Sequence, residues 1–165
     1  MSRPSRPPVG TLLRHVLDLL DGDVAKVYAE LGLPDYRPRF SPIVRTLVCD
    51  GPMSIRDLAQ AVGVTHSAAS QTVTQMARCG LVELEPGPDA RQRIAHLTPR
   101  ARALLPTIEA EWAATDAAMR ELDAELPVPL ADLLTDIVQA LHRRRFRQRI
   151  AESGLHDTPA PRHRR

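Results

Sequence analysis

The 165-residue chain is 43% apolar and 25% charged, a globular balance that sets aside a wholly disordered protein. No apolar run reaches the roughly 18–20 residues of a membrane-spanning helix, and the basic start, Met1 to Pro8, has no apolar stretch of the kind a secretion signal carries. Two distant cysteines, Cys49 and Cys79, make neither a disulfide scaffold nor a conventional zinc module, so a cytoplasmic protein without metal or cofactor is expected.

The net charge of +2 is too small to announce a nucleic-acid partner, although every basic residue except Lys26 is arginine. Guanidinium groups suit phosphates and guanine edges. GC-rich codon usage produces the same bias, so composition alone leaves the partner open.

Residues 1–10 and 153–165 lack periodicity and are expected to be disordered arms. Between them, Leu13, Val16, Leu17, Leu20, Val24, Val27, Tyr28 and Leu31 recur at steps of three and four, which predicts a helix from Thr11 to Leu31 that Gly32 stops. A proline-studded connector follows, then a short helix over Pro42–Cys49, with Cys49 expected in the core. Ser54 with Asp57 resembles a capping box for a helix over Ile55–Val62. Gly63 and Val64 make a turn, and Thr65 caps a further helix, His66–Cys79, that Gly80 ends. Small or branched Ala59, Val64, Ala69 and Val73 allow these two helices to pack tightly.

The period then changes to two. Leu81–Glu85 and Gln92–Leu97 flank the turn cluster Pro86–Ala90 and predict a hairpin. Thr98 and Pro99 open a long helix in which Leu105, Ile108, Trp112, Thr115, Met119, Leu122 and Leu126 form a coiled-coil-like seam, with Pro106 expected to kink or restart it. After Pro127 and Pro129, a last helix carrying Leu130, Leu133, Leu134, Ile137 and Leu141 on one face is expected to run to about Ala151.

Helix, tight turn, helix and hairpin is the order of a winged helix-turn-helix, whose second helix enters the major groove. That helix presents Ser67, Ser70, Gln71, Thr74, Gln75 and Arg78 on a polar face. Thr65, His66 and Ser67 stand near its start, where free backbone N–H groups favour phosphate oxygens. A solvated surface would look the same in isolation; the surrounding order of elements favours the DNA reading.

From Ile55 to Arg102 the chain resembles the MarR family of bacterial transcriptional regulators. The resemblance rests on Leu58-Ala59 with Val62-Gly63-Val64-Thr65, on Cys79-Gly80-Leu81-Val82, and on Asp89-Ala90-Arg91 followed by Leu97-Thr98. It implies a mainly α fold with a small β-hairpin wing, a winged helix-turn-helix flanked by dimerisation helices. It also implies that Arg91, oriented by Asp89 and assisted by Arg93, enters a minor groove. The segments would be an N-terminal dimerisation helix and connector (11–41), the DNA-binding domain (42–98) and C-terminal dimerisation helices (99–152). Leu13, Val16, Leu17, Leu20, Trp112, Met119, Leu133, Ile137 and Leu141 are then candidates for the homodimer interface. Double-stranded DNA and a small aromatic or anionic effector are the implied partners, with His15, Tyr36, Arg39 and Arg45 near the effector cleft. The sequence departs from the family pattern at Gln71, at Pro86 and Pro88 in the wing, at Arg100 and at Pro106.

Cys79, beside Arg78, invites a thiol switch, yet no resolving partner is near in sequence. The run His142–Arg149 reads as a solvated helix end, an inter-subunit ion-pair surface or a second nucleic-acid patch. No Gly-x-Ser-x-Gly, phosphate-cradling glycine loop or His-Glu-x-x-His occurs, so an enzyme is not expected. The competing reading is a winged-helix module that binds protein rather than DNA.

Overall fold

The computed structural model describes residues 7–87, 89 and 92–153. The chain forms two compact units, Met1–Thr115 and Asp116–Arg165. In the first, α1 (Val9–Glu30) leads through a 3-10 turn (Pro38–Phe40) to α2 (Ser41–Cys49), β1 (Met53–Ser54), α3 (Ile55–Val62), α4 (His66–Arg78), β2 (Val82–Pro86), β3 (Arg93–Leu97) and the start of α5 (Pro99–Glu125). The second holds the end of α5 with α6 (Leu130–Arg143) and α7 (Phe146–Glu152).

The fold is mainly helical around a small antiparallel sheet of order β1-β3-β2. The hairpin pairs Val82 with Leu97 and Pro86 with Arg93. The third strand, β1, sets Met53 against Ala95 and Ser54 against Ile94. At two residues it is too short to leave an alternation in the sequence.

One core unites the elements of the first unit. Tyr28 from α1, Phe40, Ile43 and Val44 around α2, Leu58 from α3, Val73 and Met76 from α4, and Ile108 from α5 are all essentially fully buried. Each such side chain contributes about 1.5–3 kcal/mol. The core includes polar groups. Tyr28 Oη donates to a carboxylate oxygen of Glu111, itself 4% exposed, and Thr115 Oγ1 donates to the other at 2.5 Å. Ser41 Oγ lies 3.3 Å from Tyr28 Oη and 3.4 Å from Tyr36 Oη. The Tyr28 and Tyr36 rings meet at 4.4 Å, and Phe40 meets Tyr36 edge-on at 5.7 Å.

Several boundaries differ from expectation. Helix α1 begins at Val9, two residues before Thr11, because Pro8 supplies a carbonyl to the N–H groups of Thr11 and Leu12. At its other end Gly32 takes φ 80°, and Leu33 N–H returns to Tyr28 O at 2.8 Å. Cys49 is exposed rather than in the core. The buried stripe of α2 is Ile43, Val44 and Leu47, and two residues beyond Leu47 the helix has turned through about 200°. Val64 is likewise exposed; its backbone N–H closes the α3 terminus on Ala59 O, and its side chain is not needed between the helices.

Helix α5 continues through Pro106 without a restart. The ring deprives the Arg102 carbonyl of its N–H partner, and Pro106 and Arg102 are both exposed, on the side of the helix that faces solvent. The last helix is two. Arg144 is extended (φ −148°, ψ 106°), Arg149 donates from Nε to Arg144 O and from its other end to Ala140 O, and Gln148 Oε1 accepts Arg145 N–H. Each side of the break is thereby capped by residues that read as an undifferentiated basic run.

Candidate nucleic-acid interface

Two local devices set the helix-turn-helix. Ser54 Oγ accepts Asp57 N–H at 3.1 Å and donates to Asp57 Oδ2 at 2.7 Å. Asp57 is too short to reach the cap backbone as a glutamate does, so it engages the cap hydroxyl instead. The chain then reverses at Gly63, whose φ of 74° belongs to the left-handed region, and Thr65 Oγ1 accepts Ala68 N–H at 3.2 Å to start α4.

Along α4, Ala69, Val73 and Met76 are buried, while Ser67, Gln71, Thr74 and Arg78 are exposed at steps of four, three and four. They make a single polar stripe opposite the core. His66 and Thr65 are exposed at its N-terminal end. Ser70 and Gln75 flank the stripe on opposite sides and are half-buried. Not every hydroxyl is available: Thr74 Oγ1 donates to Ser70 O at 2.8 Å, which leaves its lone pairs outward as an acceptor. Gln75 Oε1 accepts from the Arg39 guanidinium, so its amide N–H₂ remains the outward donor.

In the hairpin, Arg93 and Asp89 are exposed, and Gln92 N–H bonds Asp89 O at 2.8 Å while Gly87 N–H bonds Gln92 O at 2.9 Å. His96 Nε2 lies 3.3 Å from Glu85 Oε2 across the strands. Arg91, the expected minor-groove residue, lies outside the described residues.

The far end of α4 is fastened in a way the sequence did not reveal. Thr98 Oγ1 donates to Gly80 O at 2.7 Å and accepts Ala101 N–H at 3.0 Å, so one hydroxyl both caps α5 and holds the turn after α4. Arg100 Nη1 donates to Cys79 O at 3.0 Å, satisfying a carbonyl left open at the end of α4. The available signal was Arg100 itself, a departure from the family pattern at the residue that touches this turn.

The residues expected near an effector sit at several points of the first unit. Tyr36 is buried and lines a small cleft of about 40 Å³, and burial pushes its hydroxyl up to about 12. Arg39 reaches α4, Arg45 lies over the Trp112 ring at 4.3 Å, and His15 is exposed on α1. Cys79 is half-buried, with Sγ 3.8 Å from Asp35 O.

Of the candidate interface residues in the first unit, Leu13, Val16 and Leu17 are exposed, Leu20 is half-buried, and Trp112 packs against the core with Nε1 buried and unpartnered. In the second, Leu133, Ile137 and Leu141 are exposed and Met119 is half-buried. Among the described residues no helix is long and apolar enough to cross a membrane, and no His, Cys, Asp and Glu group is arranged to hold a metal ion.

Together these elements define a winged helix-turn-helix, with α4 in the recognition position and β2–β3 as the wing. The model of the MarR family matches residues 46–93, from within α2 to the start of β3, so this segment is MarR-like as its motifs indicate. No curated protein matches the chain. Among solved structures it is similar to the M. tuberculosis transcriptional regulator MOSR in complex with DNA (20% identity, 85% of this chain and 100% of that one, TM-score 0.67). It is also similar to a cysteine-to-serine mutant of E. coli MarR complexed with operator DNA (19%, 81% and 93%, TM-score 0.61). A third is the Streptomyces coelicolor regulator PcaV with its natural ligand (16%, 85% and 98%, TM-score 0.59).

Proposed function

We propose that the chain is a sequence-specific, DNA-binding transcriptional regulator of the MarR type, acting as a homodimer and released from DNA by a small effector. The observation that carries this reading is the bare stripe Ser67–Gln71–Thr74–Arg78 on a helix whose other face is fully engaged by the core. In the major groove, the stripe offers amide, hydroxyl and guanidinium groups to base edges, and the helix start offers N–H groups to phosphates. Arg91 reads the minor groove, where focused negative potential favours a guanidinium. The exposed apolar residues of α1 and α6 support dimerisation, since leucine and isoleucine in such number cost solubility unless covered. A two-fold dimer reads half-sites about 10 base pairs apart.

The test is binding of purified protein to fragments of its own upstream DNA at low and moderate salt, with Arg91→Ala alongside. The expected result is tight, sequence-selective binding that weakens steeply with salt and loses about 1–3 kcal/mol with Arg91→Ala. Weak binding, indifferent to sequence and to Arg91, leaves two readings, an operator outside the upstream fragments or the protein-binding module.

A further inference from the structure

The connector between α1 and α2 places two arginines beside the recognition helix. Arg37 and Arg39 are exposed, and together with Arg78 they line a shallow cleft of about 270 Å³ on the C-terminal shoulder of α4. Arg39 is held in position by its bond to Gln75 Oε1 and lies 6.0 Å from the Phe40 ring centroid, next to it in sequence. Asp35 also lines the cleft, and the adjoining cleft on the α1 side is lined by Asp18 and Asp21. Among the described residues none of these carboxylates forms an ion pair with Arg37, Arg39 or Arg78. Three exposed guanidinium groups thus line one rim of the polar stripe without an ion pair to these carboxylates, and their outward N–H donors suit an anion.

We propose that Arg37 and Arg39 are phosphate-contacting residues that, with Arg78, clamp the DNA backbone at the groove edge beside the C-terminal half of α4. This inference rests on the DNA-binding reading above and enlarges its footprint from the helix-turn-helix and wing onto the connector. Geometry supports a phosphodiester in particular. Arg78 lies on the exposed stripe, one turn beyond Thr74, and Gln75 lies on its Arg39 side. A duplex seated on the stripe therefore passes its sugar–phosphate edge over the cleft. Arg39, anchored through one nitrogen to Gln75, keeps other N–H donors for a phosphate oxygen. It also fixes Gln75, so backbone contact and base contact are set by one side chain.

The experiment measures binding to a short mixed-sequence duplex over a range of salt, which requires no knowledge of the operator. Removing a phosphate contact lowers the slope of log K against log salt by about 0.9. Arg37→Gln and Arg39→Gln should each show this loss, the triple variant with Arg78→Gln about three times as much, and Arg39→Lys should keep the wild-type slope. Melting temperatures establish that each variant is folded. Unchanged slopes in Arg37→Gln and Arg39→Gln, with wild-type protein still binding, overturn the clamp and leave the regulator reading intact. A weaker Arg39→Gln complex at unchanged slope also overturns it, assigning Arg39 to positioning Gln75 alone. Wild-type protein that binds no duplex overturns both readings.

Discussion

Tyr28→Phe tests the polar centre of the core directly. The substitution keeps the ring, its 4.4 Å contact with Tyr36 and its apolar burial, and removes one hydroxyl that is a donor to Glu111. Both partners are buried, at 0% and 4% exposure, so water does not replace the lost donor and the carboxylate keeps only Thr115 among its hydroxyl partners here. A hydrogen bond to a charged group is worth about 1.5–3 kcal/mol. The expected loss is therefore about 2 kcal/mol, or a fall of about 4–8 °C in melting temperature for a chain of this size. Tyr36→Phe is the internal control: its hydroxyl meets only neutral hydroxyls among the described residues, Ser41 at 3.4 Å and that of Tyr28, and its removal should cost less than about 1.5 kcal/mol. Thermal melts of the two variants, and of Tyr28→Phe in a Glu111→Leu background, measure the difference. Equal losses for the two tyrosines, or an undiminished Tyr28→Phe loss once Glu111 is gone, would refute the assignment of the energy to this hydroxyl–carboxylate pair.

The same tyrosines predict alkaline behaviour. Burial raises both hydroxyls, Tyr28 further through its bond to Glu111, so the unfolded chain releases protons from about pH 10 while the folded chain retains them. Stability present below pH 10 should fall by about 1.4 kcal/mol per pH unit for each tyrosine, until about 12 for Tyr36 and beyond that for Tyr28; denaturation at pH 9, 10 and 11 checks the slope, which should halve in Tyr36→Phe. Gly63→Ala meets no atom within 4 Å but must adopt φ 74°, so a loss of about 1–2 kcal/mol is expected from backbone strain, read by chemical denaturation. Thr65→Ala should cost about 1 kcal/mol by freeing Ala68 N–H, and Thr65→Ser should restore most of it. Pro106→Ala should raise stability, by up to about 3 kcal/mol, because it returns an N–H to a helix that already runs through the site.

Most of the first unit was legible because each element announces itself locally. Ser54, Gly63, Thr65 and Gly80 mark ends that neighbouring hydrogen bonds realise, and the switch from period three-to-four to period two marks the wing. What escaped depends on contacts between distant residues. Glu111 sits three residues after Ile108 and four before Thr115, on the inward face, yet nothing in its own segment says that Tyr28 waits 83 positions away. The break at Arg144 was hidden for a different reason. Arginines are good helix formers, and only their bonds to the carbonyls of Ala140 and Arg144 reveal that the run serves to end one helix and begin another. For the site, the stripe on α4 followed from spacing, whereas Arg39 could be joined to Gln75 only by seeing the connector folded back on the recognition helix.

The double use of Thr98 has a mechanical consequence. With its hydroxyl bonded on one side to Gly80 O and on the other to Ala101 N–H, and with Arg100 holding Cys79 O, the root of α5 and the tail of α4 turn as one piece. Helix α4 has 13 residues and so projects about 20 Å from that pivot. A rotation of about 6° at the root therefore sweeps its leading end, where Thr65 and His66 sit, through about 2 Å, roughly two-thirds of a hydrogen-bond length. The joint is a gear with little backlash: small angular changes at its hub become misregistration at the tip.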